Sequence, residues 1–207
     1  MLRIDHVVLA VRDLDAAGTR ILERLGLGSV PGGRHPGWGT GNRIVPLGEE
    51  YVELLAVVDP VEAAASPVGT WISNASRSGD RLVAWCVSTD DIEGAAGRLG
   101  LAVTPGSRSL PDGRTLTWRS AGFDGVPERP DLPFFISWDG SPELHPGRAN
   151  AEHRVQPRGI QWIEVATDQA RLRGWLGGEE VPVRAVDGEP GIRAVGIQTT
   201  REEIVLA

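Results

Sequence analysis

The stretch IDHVVLAVRDLDAA, residues 4–17, carries the strongest fold signal in the chain. Residues 4–11 are mostly branched apolar side chains, a composition typical of a buried strand. Asp13 stands as an N-cap before residues 14–25, in which apolar side chains recur at helical spacing. The stretch therefore predicts a buried strand that is followed at once by an amphipathic helix.

Further strand candidates complete this first unit, and the same order of elements then returns twice. Residues 42–48 and 50–58 are rich in apolar and β-branched side chains, which favours a pair of strands. A strand, a helix and more strands begin again at RLVAWCVSTDD, residues 81–91, and once more at GIQWIEVATD, residues 159–168. The chain is therefore predicted to contain three imperfect copies of one unit.

Three such units predict an α+β fold, in which tandem βαβββ modules form curved mixed β-sheets around a cup-shaped cleft. In the second unit, Pro111, Asp112 and Gly113 predict a hairpin turn. The predicted segments are a first module at 1–58, a helical connector at 59–79, a second module at 80–140, a polar linker at 141–158 and a third module at 159–207.

Alternation along two strands of the first unit indicates which side chains share a face. His6 alternates with Val7 on the first strand, and Glu53 alternates with Val52 on the last. If helices cover the wholly apolar faces, His6 and Glu53 both point into the cup, where one small molecule can contact both.

Charge and composition exclude several classes of function. The chain has 207 residues with 21 basic and 28 acidic side chains, so its net charge is −7. No general positive field and no local basic stripe is present, which argues against a nucleic-acid partner. All basic residues are arginine, which removes Schiff-base and phosphate-binding lysines. No apolar run approaches the length of a membrane span, so no membrane partner is expected.

The cysteine content and the first residues predict a cytoplasmic protein. Cys86 is the only cysteine and precludes an intrachain disulfide; its apolar surroundings favour a structural thiol. Asp5 and Asp13 flank a short apolar run where a secretory signal would need a basic region and a longer one. The glycines at 37, 39 and 41 lead into a strand and not a helix, so no nucleotide cofactor is expected.

The stretch at residues 4–17 and the stretch GGRHPGWGTGNRIVPLGEEYVELLAV, residues 32–57, together resemble the vicinal oxygen chelate superfamily. This superfamily includes glyoxalase I, extradiol dioxygenases and bleomycin-resistance proteins. The second stretch is similar to its glyoxalase-like domain branch, in which a glycine, histidine, threonine and asparagine string precedes a turn and a strand with a glutamate. The matching residues here are Gly33, His35, Gly39, Thr40, Asn42, Leu47, Gly48 and Glu53.

The resemblance implies a divalent metal held by His6 and Glu53 together with a second histidine and glutamate from a paired module. Mg, Mn, Fe(II), Ni or Zn suits such a mixture of imidazole and carboxylate ligands. The implied chemistry is stabilisation of an enediolate or activation of oxygen, with the metal as a Lewis acid.

The later units depart from this pattern. The position that corresponds to His6 falls at residues 83–85 in the second unit and at Gln161 or Trp162 in the third. The position that corresponds to Glu53 falls near Ser137 in the second unit. None of these is a usual ligand. His145 or His153 in the polar linker is then the candidate for a third ligand, and we select His153 beside His6 and Glu53 as the predicted metal set.

Four residues are predicted to contact the ligand directly. His35 is expected on a loop at the mouth of the cup, with Trp38 and Asn42 nearby. Trp162 occupies the place of a lost ligand and would make one side of the cup apolar. Flat indole rings at such positions can stack on a planar ligand.

Three functional hypotheses follow. The first is a glyoxalase-like lyase or isomerase that acts on a small oxygenated metabolite, with His6 and Glu53 as metal ligands or as a catalytic acid–base pair. The alternative is a metal-free protein that sequesters a small molecule, as bleomycin-resistance proteins do. The third is an interaction module whose cup is a homodimer interface, since exposed strand edges favour pairing with a second copy.

Overall fold

The computed structural model describes residues 1–109 and 113–207, which form five α-helices and twelve β-strands in two sheets. One sheet has eight strands and the other has four. None of the helices in these two ranges combines the length and the hydropathy of a membrane span.

The first module supplies half of the large sheet, in the strand order β2-β3-β4-β1. Its first and last strands, β1 and β4, run parallel. The Asp13 carboxylate accepts a hydrogen bond of 2.8 Å from the backbone N–H of Ala16, and Gly26 ends the helix at a φ of 69°. The predicted N-cap is therefore confirmed. The elements are β1 (Arg3–Ala10), α1 (Leu14–Leu25), β2 (Val30–His35), β3 (Thr40–Pro46) and β4 (Tyr51–Val57).

The second module repeats this topology, with the strand order β5-β8-β7-β6 and parallel pairing of β5 with β8. Its strand β5 pairs antiparallel with β1 and joins the two modules into one curved sheet. The predicted α+β fold of tandem βαβββ modules is thus confirmed. The elements are β5 (Arg81–Ser88), α4 (Ile92–Leu99), β6 (Val103–Ser109), β7 (Thr115–Ala121) and β8 (Phe134–Asp139).

Two short helices, α2 (Pro60–Ala64) and α3 (Pro67–Ala75), connect the modules. The strands β6 and β7 pair antiparallel, as a hairpin requires. Pro111 and Asp112, which were predicted to form its turn, lie outside the described residues.

The last segment repeats the order of elements but not the topology. Its strand order is β10-β9-β11-β12, so the first strand lies between the second and the third and does not pair with the last. The elements are β9 (Pro157–Ala166), α5 (Gln169–Trp175), β10 (Val183–Val186), β11 (Gly191–Thr199) and β12 (Glu203–Leu206).

The large sheet has an apolar cluster on each face. Val7 and Trp85 belong to the cluster that packs against α1, α4 and the small sheet. Val8, the next residue along β1, belongs to the opposite cluster, which also contains Ile72 of α3. The predicted alternation is therefore confirmed, and the face that carries His6 is free to form the cleft beside this second cluster.

One strand, β2, was missed by the sequence analysis. Its sequence, VPGGRH, lacks the apolar alternation that marks a strand, because Gly32 and Gly33 contribute no side chains. Pairing with β3 stabilises it. His35 is consequently the last residue of a strand, and the expectation of a loop at this position was wrong.

Candidate active site

The inner face of the large sheet forms a cleft of about 310 Å³ between the two modules. This volume suits a small organic molecule. The polar and aromatic side chains that line it are His6, His35, Trp38, Asn42, Tyr51, Glu53, Thr104, Ser107, Arg108, Trp118, Ser120, Phe123, Asp124, Phe134 and Trp138.

Glu53 lies between two imidazole rings. Its Oε2 is 4.0 Å from Nε2 of His6, and its Oε1 is 3.9 Å from Nε2 of His35. The register of β1 and β4 places Glu53 opposite Val8, two residues beyond His6 on the same face. The carboxylate is 13 % exposed, so it remains accessible from the cleft.

A buried carboxylate, Asp5, orients the His6 ring. Its Oδ1 is 2.6 Å from His6 Nδ1, and its Oδ2 accepts a hydrogen bond of 2.8 Å from the Trp138 indole. Nε2 of His145 lies 3.3 Å from the same Oδ2. Tyr51 stacks on the His6 ring at a centroid distance of 4.5 Å. His6 is therefore held with Nε2 directed toward Glu53.

Asp5 stays ionised in this setting. Burial by itself would raise its pKa, but hydrogen bonds from His145 and His6 and the positive charge of these rings hold the pKa of Asp5 well below its usual range. Because an ionised carboxylate only accepts hydrogen bonds, Nδ1 of His6 is the donor to Asp5. Nε2 is therefore the ring nitrogen that faces Glu53.

His35, on the other side of Glu53, is also oriented by a hydrogen bond at its Nδ1. Its Nδ1 lies 3.1 Å from the Thr40 hydroxyl, which leaves Nε2 directed toward Glu53. Burial lowers the pKa of His35; Glu53 opposes this effect and the charge of Arg108 adds to it. His35 is thus a neutral ring near pH 7.

Asn42 connects Glu53 to the second module. Its amide nitrogen donates a hydrogen bond of 2.5 Å to Glu53 Oε1. Its amide oxygen accepts hydrogen bonds from the Gly33 backbone at 2.7 Å and from Arg108 Nη1 at 3.1 Å. No local sequence pattern marks Arg108 as a site residue, because only the curvature that brings strand β6 toward β2 and β3 places it in the cleft.

Aromatic side chains line much of the cleft. Trp38 stacks on Phe123 of the second module, with ring centroids 5.2 Å apart and planes 9° from parallel. Phe134 contacts both Phe123 and His6 edge-on. These rings make the cleft apolar around its charged groups.

Comparison with known proteins identifies the family. The sequence model of the glyoxalase-like domain matches residues 4–178. The chain belongs to the glyoxalase-like domain family. It is thereby a member of the vicinal oxygen chelate superfamily, as the residues at 4–17 and 32–57 predicted.

Solved structures support the fold of this glyoxalase-like protein. A hypothetical protein from Staphylococcus aureus is 19 % identical with a TM-score of 0.65, over 99 % of this chain and 84 % of that one. A methylmalonyl-CoA epimerase in complex with methylmalonyl-CoA and NH4+ is 18 % identical with a TM-score of 0.50, over 68 % and 96 %. A search of curated proteins finds no match.

The pairing of β1 with β5 reveals the symmetry between the modules. Val7 faces Trp85, while Arg3 faces Ser88 and Ala10 faces Arg81, so the register is symmetric about the Val7–Trp85 pair. A shift of 78 residues (85 minus 7) therefore relates the two strands.

This symmetry identifies the counterparts of the two ligands implied by the superfamily. Ala84 is the counterpart of His6, since 6 plus 78 is 84. Glu53 faces Val8, and the equivalent of Val8, Cys86, faces Phe134. Phe134 therefore replaces the second glutamate, and the earlier assignment of that position to Ser137 was wrong because the register of β8 is set by its pairing with β5.

The residues of this glyoxalase-like protein do not fit the four-ligand metal centre of the superfamily. Ala84 and Phe134 offer no donor atom. Two histidine nitrogens on one ion at about 2.1 Å each lie at most about 4.2 Å apart. Among the residues described, His6, His35 and Glu53 do not form a set whose donor atoms all lie within 4.8 Å of one another.

Asp5, His6 and Cys86 do have donor atoms within 4.8 Å of one another. This group is fully buried, and both Asp5 oxygens already accept hydrogen bonds. Burial also raises the pKa of the Cys86 thiol, with further contributions from Asp5 and Glu53. A protonated thiol is a poor metal ligand. The hydrogen bond between Asp5 and His6 accounts for the closeness of these two residues, and the Cys86 thiol donates instead to the Val87 carbonyl.

Two predicted site residues lie elsewhere. His153 accepts a hydrogen bond of 3.1 Å from the backbone of Gly28, which follows helix α1 in the chain, and it does not line the cleft. Trp162 is on the small sheet, where Arg184 lies over its ring and Glu203 accepts a hydrogen bond from its indole. His6, His35, Trp38, Asn42 and Glu53 do come together in the cleft.

Proposed function

We propose that the protein is an enzyme that transfers a proton on a small oxygenated metabolite, in an isomerase or lyase reaction. Glu53 is the group that accepts the proton. The observation that carries this proposal is the position of the Glu53 carboxylate between Nε2 of His6 and Nε2 of His35, in the wall of an accessible cleft.

Each residue has a distinct role in this mechanism. Glu53 Oε1 is held by Asn42, which leaves Oε2 to take a proton from a substrate carbon. A protonated His6 can return a proton from Nε2 to a neighbouring substrate atom, because the hydrogen bond from Nδ1 to Asp5 holds the ring with Nε2 directed toward Glu53. Two proton carriers beside one substrate suit an isomerisation or an elimination. His35, as a neutral ring, can hold a substrate oxygen by a hydrogen bond.

The second candidate function is metal-free sequestration of a small molecule. The aromatic lining of the cleft favours it, because Trp38, Trp118 and Trp138 all contribute to the walls. Such a protein would bind its ligand without any exchange of protons.

The decisive experiment is hydrogen–deuterium exchange at carbon, followed by NMR in D₂O. A panel of hydroxyaldehydes, hydroxyketones and keto acids is incubated with the wild type, Glu53→Gln, His6→Gln and the surface control Glu49→Gln. We expect exchange in at least one compound, with a loss of about 10²–10⁴-fold in the first two variants and none in the control. Unchanged exchange in Glu53→Gln would refute the proposal, and binding without exchange in the wild type would favour sequestration.

A further inference from the structure

Arg108 brings a permanent positive charge into the cleft. It lies on β6, one edge strand of the large sheet, and is only 7 % exposed. Among the described residues that line the cleft, it is the only lysine or arginine. A buried guanidinium needs an anionic or strongly polar partner to offset the loss of hydration.

The hydrogen bond that is described for Arg108 inside the cleft does not neutralise its positive charge. Its Nη1 donates to the amide oxygen of Asn42 at 3.1 Å, and that oxygen is neutral. A guanidinium has five N–H donors in a planar fork. One hydrogen bond to Asn42 leaves donors that a planar anion in the cleft can accept from, in the two-bonded geometry that arginine and carboxylates share.

We propose that Arg108 binds a carboxylate of the substrate, which makes the substrate class a small organic acid with an apolar or aromatic body. This inference rests on the proposed function, because it concerns the same cleft. The net charge of −7 gives the protein no general attraction for anions, so recognition has to come from a local cation. Trp38, Phe123 and Phe134 supply the apolar surface for the remainder of the molecule.

Asn42 determines how this anion site relates to Glu53. One end of its amide accepts from Arg108 and the other donates to Glu53, so both charged groups stand beside one side chain. A carboxylate on Arg108 therefore directs the adjacent carbon of the substrate toward Glu53 Oε2, while repulsion by Glu53 keeps the carboxylate at the Arg108 end. The carbon next to the acid group is the one expected to lose a proton.

Calorimetric titration with phenylacetate, phenylacetamide and inorganic phosphate tests this site. We expect the wild type to bind phenylacetate at least tenfold more tightly than the amide, and Arg108→Gln to lose this preference. Arg119→Gln is the matched control, since Arg119 lies on the neighbouring strand and pairs with Glu93 and Asp139 at the surface. Glu53→Gln should bind phenylacetate at least as tightly as the wild type, because it removes a negative charge near the bound carboxylate. The same variant should lose deuterium exchange with the compounds of the NMR panel.

The outcomes separate this inference from the proposed function. A wild type that binds the acid and the amide equally, or an Arg108→Gln that is folded by circular dichroism and retains the preference, would overturn the carboxylate site. The comparison of phenylacetate with phenylacetamide uses the wild type alone, so it remains decisive if Arg108→Gln does not fold. Tighter binding of phosphate than of phenylacetate would also overturn it. In another outcome, Arg108→Gln loses the preference for phenylacetate over phenylacetamide while Glu53→Gln keeps unchanged deuterium exchange. That result would retain the anion site at Arg108 and refute only the catalytic role of Glu53.

Discussion

Asp5 Oδ1 lies 2.6 Å from His6 Nδ1, in a pair that is almost completely excluded from solvent. Two adjacent residues of one strand can pair in this way because the register of β1 on β5 shifts between Ile4 and His6. The Asp5 carboxylate is also the acceptor for Trp138 of β8, so it fixes His6 relative to the second module.

Asp5→Asn should therefore destabilise the protein. The amide nitrogen of asparagine cannot accept from His6 or Trp138, so at least one buried donor loses its partner. We expect a decrease of about 1–3 kcal/mol in the free energy of unfolding, measured in urea. Asp15→Asn is the control, because Asp15 pairs with Arg43 at the surface with 89 % of its side chain exposed. Equal stability of the two variants would contradict the orienting role of Asp5.

The titration of His35 gives a second prediction. Because burial lowers its pKa in the folded state, the unfolded chain binds the proton more tightly. The stability contributed by neutral His35 is complete above the ordinary pKa of about 6.5 and is lost as the pH falls below it. We expect the NMR titration of the His35 ring to have its midpoint below that of the same ring in urea, and His35→Gln to reduce the loss of stability between pH 7 and pH 5. A midpoint at or above the value in urea would contradict it.

Sequence patterns predicted the parts of the site that depend on local periodicity. His6 and Glu53 were assigned to one face because alternation along β1 and β4 has a period of two, and one face of each strand is wholly apolar. The helix after β1 was predicted because Asp13 caps it. These features need no knowledge of distant contacts.

The remaining parts depend on pairing between distant strands. Arg108 reaches Asn42 only because the sheet curves enough for its edge strands β2 and β6 to contact each other. Phe134, and not Ser137, is the counterpart of Glu53 because β8 takes its register from β5. His153 accepts a hydrogen bond from the Gly28 backbone outside the cleft, and no spacing in the polar linker indicates this contact. No local pattern encodes any of these three relationships.

Asp131 should be an important contact between the second module and the last segment. Its Oδ2 accepts from the Thr167 hydroxyl at 2.8 Å and from Arg171 at 2.7 Å, and the residue is 1 % exposed. We expect Asp131→Ala to lower the free energy of unfolding by about 1–3 kcal/mol, because Thr167 loses a buried acceptor. Asp139→Ala, which removes a surface ion pair with Arg119, should cost no more than about 0.5 kcal/mol. A cost for Asp131→Ala as small as that of the control would show that the contact contributes little.

The symmetry between the modules predicts how a metal centre could be created. Ala84→His combined with Phe134→Glu restores a donor at each position where the second module lacks one, on the same face as His6 and Glu53. We expect this double variant to bind Zn²⁺ or Ni²⁺ at least 100-fold more tightly than the wild type in calorimetry, because four protein ligands replace two. Ala84→His with Phe134→Gln is the control, since it lacks the second carboxylate and should bind more weakly than the double variant. A wild type that already binds either ion as tightly as the double variant would contradict the conclusion that its own donors do not fit a metal centre, and would return His6 and Glu53 to the role of ligands.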